Sequence, residues 1–598
     1  GDAQDSVQPP VGIDLGTTNC VLSYAPLDAE SPDVGLLSVP QLVAANTIES
    51  RPALPSFAYL ATEVETREGV VDLPWASGRE VAVGEFARTQ GAEVPQRTIA
   101  AAKSWLCHSR VDRRAKILPW NAPADVNKLS PVTASQLYLE HLVAAWNAAF
   151  PDDPFSEQEV VLTVPASFDA AARELTREAA VAAGLPSDFV LLEEPQAAVY
   201  AWLVQTGDRW RQALSVGDSL LVCDVGGGTT DLTLVNVAED DGELTLQRKA
   251  VGNHLLVGGD NMDLALAHHV AGLFAAKNVK LDPWQSVALW HSCRAAKEAL
   301  LAEEGPDTHA ISVLGRGSRV IGGTISVDVD KQSVADLLTE GFFPPCERTD
   351  RPQRRRASVF QELGLPFESD TGITRHIAAF LDAQVEASRP TYVLFNGGVF
   401  KAEFFRNRIL NTLSAWYGEL PPTVELAGER ELDNAVARGA AYYGWAKRHG
   451  GVRIRGGVAR SYYVGIETAG LAVPGAPRPL RALCVVPFGM EEGSEVEVPS
   501  NEIGLVLDEP ACFRFFSSAV RKSDRPGDVL DSWEENELVE TDSLETTLSS
   551  DEDSDDPYVS VRFHSRITEL GIFELWCVST NSERRWQLEF SVREPEAE

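Results

Sequence analysis

Apolar positions along this chain follow two periods, and the places where one gives way to the other divide it. VGIDLGTT (11–18) carries one Asp into a Gly-Thr turn, and a second apolar run, CVLSY, follows at once. The plan returns in LLVCDVGGGTTDLTLV (220–235). Both copies read as β-hairpins whose tips hold an acid and hydroxyls near backbone N–H groups, so one supersecondary unit occurs twice. Between them EVVLTVP (159–165) predicts a buried strand and AARELTREAAVAAGL (171–185) a helix closed by Gly184. FVLLEEPQAAVYAWL (189–203) predicts a strand, a turn at Glu194–Pro195 and a helix. Helices follow over 283–302 and 432–448, with a buried strand ending in a Gly pair over TYVLFNGG (391–398) between them. Strands alternating with helices predict an α/β architecture.

Past residue 450 the pattern changes. GGVRIRGGVAR (450–460) is Gly-rich and helix-poor, which predicts a linker. Alternating runs then dominate, among them SYYVGIET, RALCVVPF, YVSVRFHS and IFELWCVS, and predict a β-sandwich-like domain over 461–598. Residues 528–556 form an acidic, Ser/Thr-rich tract expected to be a mobile loop, since strand patterns resume after it. The polar start, 1–10, is expected to be disordered, leaving 11–449 as the α/β domain.

A chain of 598 residues exceeds what one core usually serves. Its net charge of −36 disfavours general binding to nucleic acid or to an anionic membrane. The basic stretch at 351–356 reads as a solvated loop. No apolar run approaches the roughly 18 residues of a membrane-spanning helix, and no basic-then-apolar start marks a signal peptide. The 8 cysteines are scattered without a CxxC pair, and Cys20, Cys223 and Cys293 read as buried thiols. A reducing cytoplasm is the expected location.

Two Asp-Gly-Thr tips facing each other suit phosphate. Gly lets the backbone come close, successive N–H groups form an anion nest, and Thr hydroxyls add donors. Asp14, Asp224 and Asp231 would repel phosphate directly and make sense through Mg²⁺, mostly by way of its waters. No GxxxxGK[ST] is present, which excludes a P-loop. GDSL (217–220) matches an esterase signature, but no suitable Asp-x-x-His follows, and Ser219 reads as the beginning of a strand. His268 and His269 lack metal spacing and read as a partly exposed helix face.

VGIDLGTTN, LTVPASF, LLEEPQAAV, CDVGGGTTDLT and LLVGGDNMD resemble, in order, the phosphate loops and connecting segments of the Hsp70 family. FNGGVF and DNAVARGAA resemble its adenosine region, VGIETAG (464–470) the start of its substrate domain, and SRITELGIFELWCVS (565–579) a late hairpin of that domain. The resemblance implies an actin-like ATPase domain of duplicated ribonuclease H-like subdomains followed by a β-sandwich-like substrate domain. It implies ATP hydrolysis to ADP and phosphate with Mg²⁺, and with K⁺ as a further candidate cation, coupled to binding of unfolded or extended polypeptide. A J-domain protein and a nucleotide exchange factor are the implied partners.

By matching motif, Gly16, Thr17, Thr18 and Asn19 would meet the phosphates from the first loop, and Gly226, Gly227, Gly228, Thr229 and Thr230 from the second. Lys103, in AAKSWL, would lie near the γ-phosphate. Glu194 and Asp224 would hold metal-bound waters, and Asp231 would order the attacking water or a cation. Gly258, Gly259, Lys297, Gly397, Gly398 and Asp433 would complete the nucleotide site, while Pro165 and Arg173 would relay nucleotide state. Water would attack the γ-phosphoryl group in line, with no covalent nucleophile.

Some positions depart from the family pattern. Glu298 and Leu301 change the adenine clamp, and Val399-Phe400-Lys401 follows the Gly397–Gly398 pair. Residues 350–376 read as an insertion, the linker lacks the acidic-leucine pattern, and a helical lid is expected to be absent. Two other functions fit the same core. One is a nucleotide-dependent scaffold or co-chaperone without refolding activity. The other is a small-molecule kinase of the actin-like superfamily, which needs a carboxylate base beside a substrate hydroxyl.

Overall fold

Each repeated unit folds as an antiparallel hairpin. Pro10–Leu15 pairs with Asn19–Tyr24, and Ser219–Val225 pairs with Thr230–Asp240. The turns 16–19 and 226–229 are closed by the same bond, from the Gly16 N–H to the Asn19 carbonyl and from the Gly226 N–H to the Thr229 carbonyl, each 3.0 Å. The first strand of each hairpin takes a parallel neighbour: Glu159–Val164 and then Val190–Glu193 in one sheet, Tyr392–Asn396 and then Val424–Glu425 in the other. Gly35–Leu36 and Glu243–Val251 add antiparallel strands on the far side. Numbered within each half, both sheets run 3-2-1-4-5, so the repeat extends from the hairpins to the whole sheets. The computed structural model describes residues 10–25, 34–315, 324–353, 364–384, 389–418, 420–428, 432–467, 479–550, 556–568 and 572–591. Of residues 1–10, expected to be disordered, Pro10 begins the first strand and 1–9 lie outside the described ones.

Helices Glu194–Thr206 and Ala435–His449 cross between the two sheets. Their backbones nearly touch: a Cβ at Gly439 would lie 1.7 Å from the Ala197 carbonyl oxygen. The small residues of the second helix are therefore the condition for this crossing. Leu192 and Tyr200 of the first half, Val222 and Leu246 of the second, and Ala440 share the resulting core. Helix Ala170–Ala183 begins where the Asp169 carboxylate accepts the Ala172 N–H (2.9 Å) and ends at Gly184, as its spacing predicts. Helices Gly259–Ala276 and Pro283–Leu301 pack with the hairpin Thr308–Leu314/Thr324–Asp330 on the outside of the second half. Ser219 begins a strand, and His268 and His269 are exposed, as read from sequence. No helix among the described residues is long and apolar enough to cross a membrane.

From Ser461 on, the described chain forms two further sheets. Tyr462, Val464, Leu483 and Phe515 of one meet Val561, Phe563, Leu575 and Trp586 of the other in a single core. This sandwich rests on the first half. Phe590 packs against Leu106, Leu175 and Ala179, and Ala170 reaches the sandwich core.

Three expectations change here. The acidic tract is not a loop, because it contributes strands to both sheets of the sandwich. Val529–Leu530 pairs with Leu483 and Ala482, Val539–Glu540 with Phe516 and Ser517, and Leu544–Thr547 with Pro510–Phe513. Leu538, Leu544 and Leu548 point inward while Glu534, Glu535 and Glu545 stay exposed, so charge density masks an alternating pattern. Its last residues, 551–555, lie outside the described ones. The linker is also more than a tether: Ile454–Arg455 adds a parallel edge strand beside Leu246–Gln247. In the segment read as an insertion, Leu365 joins the core of the first half and Asp370 binds Arg375, while 354–363 lie outside the described residues.

Candidate active site

Both hairpin tips open on one cleft of about 520 Å³. Asp14 and residues 16–19 line it from the first half, with Lys103 and Glu194. Asp224, Gly226, Gly227 and Thr229 face them from the second half, with Gly259, Lys297, Gly397, Gly398 and Asp433 around the mouth. A Cβ at Gly227 would come within 2.2 Å of Thr18 Oγ1, so the two loops can meet only with glycine there. Gly397 turns the chain at φ +95°, and a Cβ would lie 2.0 Å from the Val225 carbonyl oxygen. Lys103 sits on the short helix Ala102–Leu106, which starts from Ala101 in the left-handed region at φ +57°. Such a conformation costs a non-glycine residue about 1 kcal/mol, and functional sites commonly hold it.

At the cleft floor Lys103 lies among three carboxylates, Asp14, Glu194 and Asp224, with Asp231 behind them. Lys103 Nζ pairs with Glu194 Oε1, and both side chains are buried. Burial works against the Lys103 charge, but Glu194 and Asp14, then Asp231, outweigh it and raise its pKa. Burial and the charge of Glu194 push Asp14 up to about 7, against the pull of Lys103 and a bond from Thr163. Asp224 is raised well above the carboxylate range by burial, Glu194 and Asp231. Glu194 is raised by burial although Lys103 opposes it. Among the described residues no three His, Cys, Asp or Glu side chains could hold a metal ion by themselves. The carboxylates of Asp14, Glu194 and Asp224 around the cleft suit a divalent cation held through its waters, and the glycine-threonine end suits phosphate. Ser104 Oγ, buried 2.3 Å from where a Gly228 Cβ would stand, has no hydrogen-bond partner among the described residues.

Other predicted residues stand behind the wall. Asp231 accepts the Ser167 N–H and the Thr229 hydroxyl, each at 3.1 Å. Gly228 packs against Ser104 and Thr17. The Thr230 hydroxyl is fully buried and donates to the Val257 carbonyl (2.8 Å), so it secures the loop and does not face the cleft. Gly258 gives its N–H to Asn261 Oδ1, and Gly259 gives its N–H to the Gly226 carbonyl. That pair braces the second loop, and its N–H groups are not free for phosphate. Lys297 is held by Asp263 (2.6 Å) and the Gly259 carbonyl (3.0 Å). Asp433 pairs with Lys401 on the exposed rim.

Sequence reading missed Arg294, which bonds Asp260 (2.7 Å) and Asp263 (3.1 Å) in a buried cluster beside Lys297. A signal existed: Asp260 with Asp263 and Arg294 with Lys297 are both spaced i, i+3, one pair on each of two consecutive helices.

Pro165 and Arg173 lie on the far side of Asp231. Arg173 donates to the Phe168 carbonyl (3.0 Å) and the Ala166 carbonyl (3.2 Å), while Ser167 between them donates its N–H to Asp231. Segment 165–168 is therefore gripped from the cleft on one side and by Arg173 on the other. Arg173 also lines a second cavity of about 590 Å³ with residues 450–460. There Arg248 bonds both Glu193 and the Gly457 carbonyl, joining the linker strand to the strand that precedes Glu194.

A family model described as Hsp70 protein matches residues 73–313, from before Lys103 to beyond Lys297. The chaperone protein HscA of Enterobacter sp. (strain 638) is 28% identical over 446 residues, which cover 72% of this chain and 57% of that protein. HscA homologs of Burkholderia lata and Burkholderia pseudomallei are 28% identical over 441 residues, with the same coverage. The chain thus spans about 57% of the length of the curated relatives it matches. Both glycine-threonine loops close on one cleft, and the chain that forms it is similar to chaperones of the Hsp70 family.

Proposed function

We propose that this protein is a chaperone of the Hsp70 kind that binds ATP and ADP, slowly hydrolyses ATP, and couples nucleotide state to the holding of extended polypeptide. The meeting of two glycine-threonine turns with Lys103, Asp14, Glu194 and Asp224 in one cleft carries this reading. The duplicated 3-2-1-4-5 sheets agree with an actin-like ATPase core. The turns would cradle phosphate through backbone N–H groups and Thr17, Thr18 and Thr229 hydroxyls. Lys103 would offset charge gathering on the transferred group, and Asp231, fixed by Ser167 and Thr229, would orient the attacking water. Bound Mg²⁺ would supply charge neutralisation at the phosphates, with Asp14, Glu194 and Asp224 holding its waters.

Coupling would run from Asp231 through segment 165–168 to Arg173 and the linker strand. Polypeptide would bind the sandwich by main-chain hydrogen bonds with side-chain pockets. On the same reading the partners are a J-domain protein and a nucleotide exchange factor, K⁺ is a second cation, and the compartment is the cytoplasm.

The test is Mg²⁺-dependent ATP hydrolysis by the full chain, with and without an unfolded polypeptide. Slow turnover that the polypeptide accelerates is expected. ATP that binds but is not cleaved in either condition would sink the reading in favour of a nucleotide-dependent scaffold. The capture of Lys297 by Asp263 and the burial of the Arg113–Asp542 pair, which ties the sandwich to the first half, are what favour that second reading.

A further inference from the structure

His254 ties the two halves together at the phosphate end of the cleft. It follows the strand Glu243–Val251 of the second half, yet both ring nitrogens reach residues of the first. Nδ1 lies 2.9 Å from Ser167 Oγ, and Nε2 lies 3.2 Å from Cys107 Sγ. Ser167 donates its N–H to Asp231 Oδ1. Cys107 caps the helix that carries Lys103 and donates its thiol to the Ser104 carbonyl (3.2 Å). One imidazole therefore contacts the support of both Asp231 and Lys103.

The chemistry of the three groups is matched. A neutral imidazole has one donor and one acceptor. The Ser167 hydroxyl can play either part. Burial, then the charge of Asp169, pushes the Cys107 thiol up to about 12, so it remains an S–H. With that proton given to the Ser104 carbonyl, the sulfur accepts from Nε2–H and the Ser167 hydroxyl donates to Nδ1, so the Nε2–H tautomer of His254 is satisfied at both nitrogens. The Phe168 ring packs edge-on against the imidazole, with centroids 6.1 Å apart, which limits ring rotation. Ser167 also sits between the two carbonyls that Arg173 grips, so the contact that sets Asp231 reaches the segment proposed to signal outward.

We propose that His254 is a positioning residue for ATP cleavage, holding Asp231 and Lys103 in register across the two halves through Ser167 and Cys107. The proposal rests on the ATPase reading above. It separates positioning from binding, because His254 does not line the cleft.

The test compares His254→Phe, which keeps a ring against Phe168 but loses both bonds, with Ser167→Ala, which removes the hydroxyl and leaves the N–H to Asp231. Single-turnover cleavage of Mg²⁺-ATP and ATP affinity are measured on the full chain. His254→Phe is expected to slow cleavage about tenfold while ATP affinity stays within about twofold. Ser167→Ala should slow it less, and the double variant should be no slower than His254→Phe, since the two act as one unit. Wild-type cleavage by His254→Phe, affinity falling in step with rate, or losses that multiply in the double variant would each overturn the proposal. If His254→Phe fails to fold, Ser167→Ala decides alone, and a wild-type rate there counts against the idea. A wild-type protein that cleaves no ATP removes the ATPase reading and this inference together, an outcome distinct from active wild type with unaffected variants.

Discussion

Two buried clusters of charge in this molecule follow opposite rules. Where the sandwich meets the first half, Arg113 faces Asp542 at 2.6 Å, with side chains 0% and 2% exposed. In the cleft, Lys103 faces Asp14 and Glu194, Asp224 adds a third carboxylate, and Asp231 stands just behind. The first is a sealed one-to-one pair with Asp169 nearby, while the second has more carboxylates than cations and stays open. Buried charge without a partner is costly, so an unmatched set persists where a ligand completes it. The interface is built to hold two parts together. On the proposed reading, the cleft gives up stability for an incoming cation and phosphates.

The largest expected effect comes from breaking the matched pair. Arg113→Ala leaves Asp542 buried and uncompensated, which typically costs about 3–5 kcal/mol. Urea unfolding at neutral pH measures it. A loss below about 1 kcal/mol would mean that Asp542 relaxes toward solvent, and the contrast with the cleft would disappear.

The pH dependence of the same site sharpens the contrast. Burial and the neighbouring Asp169 outweigh Arg113 and push Asp542 up from 3.8 to about 6. The folded state then binds this proton more tightly than the unfolded state. The contribution is fully present below the unfolded value and is lost as pH rises through about 6. A shift of this size corresponds to about 2–3 kcal/mol across that window. Asp542→Asn should flatten that part of the stability-versus-pH curve, measured from pH 4 to 7.5. A curve with unchanged slope would show that Asp542 does not titrate there.

The same contrast explains which parts of the molecule could be read in advance. The cleft loops are written locally: Gly16 to Asn19 and Gly226 to Thr229 need particular residues at fixed spacing to make one turn, and the turn announces itself. Thr230 and Gly258 belong to the same strings but point away, because their hydrogen bonds are spent on the Val257 carbonyl and Asn261. A motif states which residues are near one another and is silent on which way each faces. The interface leaves no such mark. Arg113 and Asp542 are 429 positions apart, and Asp542 sits in a tract whose acidity reads as solvated chain. Only the spacing of Val529, Leu538, Leu544 and Leu548 hinted at strands. The linker strand was hidden likewise, since VRIR is too short to separate from its flanking glycines.

In the cleft, neutralising an acid should act with the opposite sign. Asp224→Asn removes one of the crowded charges and keeps an amide beside Asn396, which already hydrogen-bonds Asp224. Stability without Mg²⁺ should rise by about 1 kcal/mol, the scale on which a functional site gives up stability. ATP turnover should collapse. Unfolding is compared with and without Mg²⁺, which should narrow the gap by stabilising the wild type alone. If Asp224→Asn destabilises instead, the cleft charges are already compensated within the protein, and the two clusters obey the same rule.

The smallest effect belongs to a third pair, Lys401 with Asp433 at the cleft rim. Its separation is 2.6 Å, the same as that of Arg113 and Asp542, but its side chains are 51% and 60% exposed. Water already solvates both groups and salt screens them, so the pair is worth at most about 0.5 kcal/mol. Lys401→Ala should therefore leave unfolding unchanged within that margin, while ATP affinity, measured at low and high salt, should reveal any role at the mouth. A cost above about 1 kcal/mol would mean that close approach alone sets the worth of a pair here. Burial would then lose its place as the variable that separates the sealed interface from the open cleft, since the rim and the interface pairs share the same separation and differ sharply in their access to water.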